Sequence, residues 1–224
     1  MRDVTLVFDL DGTLVDTAPD LVGAANHVLA GLALAPLSAA ELRPWISFGA
    51  RRMIVEALAL RGERREETTI DTMLARFLDH YVDNIAAESR PFPGAVGALD
   101  RCLARGATLA VCTNKRHALA VKLLDALALT TRFGAIAGRD TFPVSKPHPD
   151  HLSGAVKLAG GNLARSVLVG DSAVDVATAR AAGVPFVGVS FGYTDTPMHA
   201  LGPDAIIDHF DQLDDALSRL LAAA

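Results

Sequence analysis

Two hydrophobic rhythms alternate along the chain: short unbroken apolar runs, and longer stretches in which apolar positions recur every three or four residues. The first run is Val4–Phe8, VTLVF, interrupted by one threonine. A run of that kind reads as a strand buried on both faces, as in a parallel sheet. The second rhythm follows at once. Leu21, Val22, Ala25, Val28, Leu29 and Leu32 fall on one helical face, so a helix is expected over roughly 17–32, with Asp16 or Thr17 as its cap and Pro19 in its first turn. Ser38-Ala-Ala-Glu41 has the form of a capping box opening a second helix. Residues 50–60 give a third, and Ile70, Met73, Leu74, Phe77, Leu78, Tyr81, Val82 and Ile85 a fourth.

Arg90-Pro-Phe-Pro-Gly94 then punctuates the chain. Beyond it strands and helices alternate: helix 95–105, strand 107–112, helix 115–128, strand 134–137, helix 149–159, strand 166–169, helix 173–182, strand 185–189, a weak strand at 205–207 and a terminal helix. Right-handed crossovers make such a pattern an α/β fold with a Rossmann-like parallel sheet. The helical block interrupts it as an inserted all-helical domain. The expected division is a core of residues 1–15 and 89–224 with the insertion at 16–88.

Composition narrows the class. Half of the 224 residues are hydrophobic, enough for a sizeable core. A net charge of −5 argues against nucleic acid as a partner. Cys102 and Cys112 form no CxxC pair and stand in apolar surroundings, as core thiols do. Leu21–Ala40 carries no formal charge over twenty residues, but Asn26, His27, Gly31 and Pro36 interrupt it. Its helical part spans about 24 Å against a hydrocarbon core of about 30 Å. No membrane association is expected, and acidic residues at Asp3, Asp9 and Asp11 do not fit a signal peptide. A cytoplasmic protein is the expectation.

Chemistry gathers where the apolar runs stop. The first ends in Asp9-x-Asp11-Gly12-Thr13, the run at 107–112 in Thr113-Asn114-Lys115, and the run at 166–169 in Gly170-Asp171-Ser172-Ala173-Val174-Asp175. Ser145-Lys146-Pro147 lies in a loop between prolines. In a parallel sheet, ligands bind beyond the carboxyl ends of the strands. Asp9 and Asp11 alone could simply cap a turn, but that reading predicts no matching groups at later strand ends. Several carboxylates with one lysine suit a Mg²⁺ ion and a phosphate, with backbone N–H groups at Thr113-Asn114, read as a helix start, completing an anion site.

These segments resemble the four signatures of the haloacid-dehalogenase-like superfamily: DxDGT at Asp9–Thr13, the hydroxyl motif at Thr113, the lysine motif at Lys146 and GDSxxD at Gly170–Asp175. The resemblance covers nearly the whole chain. It implies that Asp9 is the nucleophile forming an aspartyl-phosphate and Asp11 the general acid and base. It further implies that Thr113, Asn114 and Lys146 bind the phosphoryl group. Mg²⁺ is then held by Asp9, the Asp11 carbonyl and Asp171, with Asp175 ordering the metal shell or Lys146. The superfamily's dehalogenases lack the second acid, so Asp11 points to phosphate chemistry. The block at 16–88 resembles the family's cap domain.

Within the superfamily the chain is most similar to phosphoglycolate phosphatases, through FDLDGTLVDT at 8–17, Pro19-Asp20-Leu21, Thr113-Asn114-Lys115, Lys146-Pro147-x-Pro149 and the GDS form of the last motif. Its cap-loop segment Arg43–Leu58 departs from the family's glycine-x-glycine step, with Ser47-Phe48-Gly49 in its place. Arg51, Arg52 and Lys115 are candidate cations for a substrate carboxylate. The implied activity is Mg²⁺-dependent hydrolysis of 2-phosphoglycolate by a monomer or homodimer. A phosphatase for another small or sugar phosphate, or a β-phosphoglucomutase-like phosphotransferase, is the nearest alternative, and an inactive binding protein a remote one. His148 and His151 form an HxxH without a third ligand nearby and carry no metal reading. Arg61–Glu67 reads as a solvated turn, and Trp45 and Phe48 as either cap-face or core aromatics.

Overall fold

The computed structural model describes residues 1–222 and divides the chain into two compact units: Met1–Asp16 with the chain from Pro91 onward, and Thr17–Arg90. The first unit carries a six-stranded parallel sheet in the order β5-β4-β1-β6-β7-β8. Its strands are β1 (Thr5–Phe8), β4 (Thr108–Cys112), β5 (Ala135–Ala137), β6 (Ser166–Gly170), β7 (Phe186–Val189) and β8 (Ala205–Ile207). Two-residue strands, β2 (Val15–Asp16) and β3 (Arg90–Pro91), stand where the chain passes between the units. The helices of this unit are α5 (Ala95–Ala104), α6 (His117–Ala126), α7 (Pro149–Leu158), α8 (Ala173–Ala182) and α9 (Leu213–Ala222).

All four residues of β1 are buried, as the near-continuous apolar run around Thr5 requires. The chain goes from β1 to β4 on one side and later returns to β6 on the other, so the strand order reverses at β1. Phe8 is level with Val111 on β4 and with Val169 on β6. The residues that follow these three positions therefore emerge side by side at one sheet edge, at the topological switch point where α/β sheets bind ligands. Behind that edge, Val7, Ala110, Cys112, Leu168 and Val156 belong to one buried cluster that fixes the strands laterally.

The second unit contains α1 (Ala18–Ala30), α2 (Ala39–Leu42), α3 (Ala50–Ala59) and α4 (Glu67–Asp83). Asp20 ties its two chain ends together, accepting from the Ser89 hydroxyl at 2.6 Å and from the N–H groups of Glu88 and Ser89. The capping box at Ser38–Glu41 is present, yet α2 lasts one turn. Pro44 has no N–H to continue the α ladder although Arg43 before it is still in α conformation, and the chain goes on as a 3₁₀ segment over Arg43–Phe48. Thr17 is the N-cap of α1 but makes no side-chain capping bond. Among the described residues no helix is long and apolar enough to cross a membrane.

The helix expected from residue 115 begins two residues later, because Thr113, Asn114 and Lys115 form a turn of their own. Lys115 N–H donates to Thr113 Oγ1 at 3.1 Å, and Arg116 is extended as the N-cap of α6. The two thiols are buried, and burial raises Cys102 to about 11 and Cys112 to about 12, so neither is a nucleophile at neutral pH.

Candidate active site

Asp9 leaves the end of β1 with its carboxylate fixed from two sides. Oδ1 accepts from the Leu10 N–H at 2.7 Å and lies 2.9 Å from Lys146 Nζ. The same ammonium donates to Asp175 Oδ1 at 2.6 Å. Asp175 is the N3 residue of a capping box opening α8, in which its Oδ2 accepts from the Ser172 N–H and hydroxyl. Both oxygens of Asp175 are thus engaged by protein donors.

Asp171, one residue past β6, is completely buried. Thr13 donates its hydroxyl to Oδ1 at 3.3 Å, and the Tyr193 N–H donates to Oδ2 at 2.7 Å. Gly12, at φ +83°, lets the first loop pass over this carboxylate, where a Cβ would sit 2.4 Å from Asp171 Oδ2. Both the backbone conformation and the close approach require glycine there.

Asp9, Asp171 and Asp175 each offer a carboxylate oxygen within 4.8 Å of the others. Burial, then the charges of Asp175 and Asp11, push Asp9 up to about 7 against the pull of Lys146. Burial, then Asp175 and Asp9, raise Asp171 well above the carboxylate range. Burial opposes the charge on Lys146, and Asp175 and Asp9 outweigh it, so its pKa is raised. Ionised together, the three carboxylates exceed the charge of this one ammonium, an excess that a bound cation would offset. Such an all-oxygen donor set fits a hard divalent cation.

The other expected residues surround this cluster. Asp11 accepts from Lys115 Nζ at 2.8 Å, and both side chains are largely buried. Thr113 stands at the end of β4, but its N–H is bound to Ala137 O at 2.9 Å and α6 opens only at His117. The Thr113 N–H is thus taken up by the sheet and the segment is a turn ahead of α6 where a helix start was expected, which leaves Thr113 its hydroxyl proton to offer. Asn114 donates Nδ2 to the Lys146 carbonyl at 3.1 Å, which holds the lysine loop against the β4 end. Among the described residues its buried Oδ1 has no hydrogen-bond partner.

Arg51 and Arg52 belong to the helical unit. Arg51 pairs with Glu67 and Asp71, and Arg52 pairs with Glu56 at 2.7 Å and lies over the Trp45 ring. Phe48 is 61% exposed, which excludes a core role for it. Arg61 bonds the carbonyls of Ala35 and Pro36, so that turn is anchored as well as solvated.

The HxxH pair separates. His148 caps α7, while His151 is buried and bridges Gly138 O at 3.0 Å and Cys112 Sγ at 3.5 Å. Sequence reasoning missed Tyr193. It lies in irregular chain beyond β7 with no periodicity or motif to single it out.

Residues 6–189 match the family described as haloacid dehalogenase-like hydrolase. A phosphoglycolate phosphatase of Mesorhizobium japonicum is 48% identical over 220 residues, covering 98% of this chain and 97% of the relative. One of Agrobacterium fabrum is 49% identical, covering 97% and 93%. Among solved structures, one described as a predicted phosphoglycolate phosphatase from Haemophilus somnus superposes with a TM-score of 0.88 at 29% identity, covering 96% of this chain and 97% of that one. With the motif residues gathered at one sheet edge and relatives similar over nearly their full length, the chain belongs to the haloacid dehalogenase-like hydrolases, in the phosphoglycolate phosphatase family.

Proposed function

We propose that this enzyme, a phosphoric monoester hydrolase, converts 2-phosphoglycolate to glycolate and phosphate through an aspartyl-phosphate on Asp9. The buried Asp9–Asp171–Asp175 cluster around Lys146 carries the chemical class, and relatives bearing that name at 48% and 49% identity favour the substrate.

Asp9, held by Leu10 N–H and Lys146, is oriented to attack phosphorus. An Asp9 O–P bond forms as the ester P–O bond breaks, and Asp11 gives its proton to the departing alkoxide. In the second half, water forms a new P–O bond, the Asp9 O–P bond breaks, and the water proton passes to Asp11. Lys146 and the Thr113 hydroxyl face the phosphoryl oxygens with a charge and a donor. Asn114 Oδ1, an unpartnered acceptor, suits a protonated oxygen or a water. Mg²⁺ would be held by Asp9, Asp171 and the Asp11 carbonyl, and would neutralise the repulsion between two anions. Asp175, saturated by Ser172 and Lys146, aligns the lysine.

The helical unit is assigned the role of substrate-selecting cap, with Arg51, Arg52 and the core's Lys115 as candidate cations for the glycolate carboxylate. Lys115 is the one of the three that belongs to the same unit as the carboxylate cluster, where it pairs with Asp11. The reaction is assigned to the cytoplasm, run by a monomer or homodimer. A mutase-like transfer makes the opposite prediction for water: the phosphoryl group would pass to a second hydroxyl instead. Product analysis with 2-phosphoglycolate and with a hexose 1-phosphate separates them. Glycolate and phosphate from the first, with no isomerised sugar phosphate from the second, is the expected result. Alanine variants of Arg51 and Arg52 that both keep wild-type kcat/KM for 2-phosphoglycolate would remove those two from the substrate site.

A further inference from the structure

One residue outside the four motif segments touches both aspartate-bearing loops. Tyr193 is 2% exposed. Its N–H donates to Asp171 Oδ2 at 2.7 Å, and its hydroxyl donates to Asp16 Oδ1 at 2.6 Å. Its ring edge, Cδ2, lies 2.9 Å from where a Cβ on Gly12 would stand, so the ring packs directly beneath the first loop. The preceding residue is pressed just as closely. A Cβ on Gly192 would lie 2.2 Å from Asp171 Cβ. Tyr193 therefore reaches from the Asp171 carboxylate through its backbone N–H, and with its ring under Gly12, to Asp16 in β2 at the far end of the loop that begins at Asp9.

From this we infer that Tyr193 is a positioning residue for divalent-metal binding. The hydroxyl bond to Asp16 fixes the ring, the ring under Gly12 fixes the backbone of the post-β7 segment, and that backbone N–H sets the orientation of Asp171 beside Asp9. Groups that orient a metal ligand from behind commonly change metal affinity by about 10–100-fold when removed. The inference rests on the proposed metal-dependent reading of the Asp9–Asp171 cluster.

A tyrosine that merely fills space and satisfies its own hydroxyl would make a different prediction. Losing the hydroxyl would then lower thermal stability and leave metal affinity alone. Tyr193→Phe keeps both ring and N–H and removes the hydroxyl that bonds Asp16, so it separates the two roles.

The experiment is calorimetric titration of metal-stripped full-length protein with Mg²⁺, with melting temperatures measured in parallel. Tyr193→Phe is expected to raise the Mg²⁺ Kd by about 10-fold, while KM for 2-phosphoglycolate at saturating Mg²⁺ stays within about twofold. Asp16→Ala should match it, the double variant should be no weaker than either single one, and Asp16→Asn, which retains an acceptor oxygen, should bind nearly as the wild type. If Tyr193→Phe does not fold, the Asp16→Ala and Asp16→Asn pair carries the same comparison. A Mg²⁺ Kd unchanged in Tyr193→Phe or Asp16→Ala, with or without a lower melting temperature, would overturn the inference while leaving the metal reading intact. Failure of the wild type itself to take up Mg²⁺ would overturn both.

Discussion

Lys146 holds the charge balance of the site, lying between Asp9 and Asp175 with 2% of its side chain exposed. Lys146→Met would leave two buried carboxylates facing each other. Breaking a buried pair in this way costs about 3–5 kcal/mol, which denaturant unfolding of metal-free protein at pH 8 should show. The loss should shrink at pH 5, where Asp9, raised to about 7, is protonated. Asp9 itself carries a second prediction. Its folded pKa lies above the ordinary 3.8, so the folded state binds more protons than the unfolded one between those values. Its contribution to stability is thus present at low pH and is lost as pH rises towards 7. Asp9→Asn should therefore melt higher than metal-free wild type at pH 8, with the gap closing near pH 4, while lowering kcat by about 10⁴-fold or more. An Asp9→Asn enzyme that kept a tenth of wild-type activity would exclude Asp9 as the nucleophile. These residues were legible in the sequence because each follows an apolar run or sits in a proline-bracketed loop. Tyr193 was not, because its contacts to Asp171 and Asp16 are set by tertiary folding and have no local signature.

At the scale of elements, the sheet was legible and the ends of helices less so. Strand positions followed from apolar runs that a buried parallel sheet requires. The start of α6 depended on a side-chain bond, Lys115 N–H to Thr113 Oγ1, that competes with helix continuation and is not visible in periodicity. Likewise α2 stops where Pro44 intervenes, although its capping box is intact. The turn at Gly12 joins element geometry to chemistry. Gly12→Ala places a Cβ 2.4 Å from Asp171 Oδ2 at φ +83°. It should cost more than the roughly 1 kcal/mol of an ordinary strained glycine site and weaken Mg²⁺ binding, both readable by melting with and without the ion. His151 links three elements by bridging the ends of β4 and β5 from α7. Burial lowers its pKa below 6.5. The unfolded state then binds the proton first, so stability falls as pH drops below about 6.5. Replacing it by His151→Gln, which can still donate to Gly138 O, should flatten the stability profile between about pH 6.5 and 5.

For the whole molecule, a Rossmann-like core and a helical insertion were expected from the change of rhythm near residues 16 and 90, and the chain forms two compact units, Met1–Asp16 with the chain from Pro91 onward and Thr17–Arg90. What the rhythm could not supply is the engagement of the candidate substrate cations. Arg51 and Arg52 hold acidic partners within their own unit, and Lys115 holds Asp11. The Arg51 pairs depend on which side chains a neighbouring helix presents and the Lys115 pair on where two loops meet, whereas the Arg52–Glu56 pair follows from four-residue spacing along α3. The most direct measurement is phosphate release from 2-phosphoglycolate, hexose phosphates, nucleotides and p-nitrophenyl phosphate, each with Mg²⁺ and with a chelator. The expected result is a kcat/KM for 2-phosphoglycolate well above every other ester, abolished by chelation and restored by added Mg²⁺. Comparable rates across the panel would contradict the assigned substrate, and no Mg²⁺-dependent release from any ester would contradict the phosphatase chemistry itself.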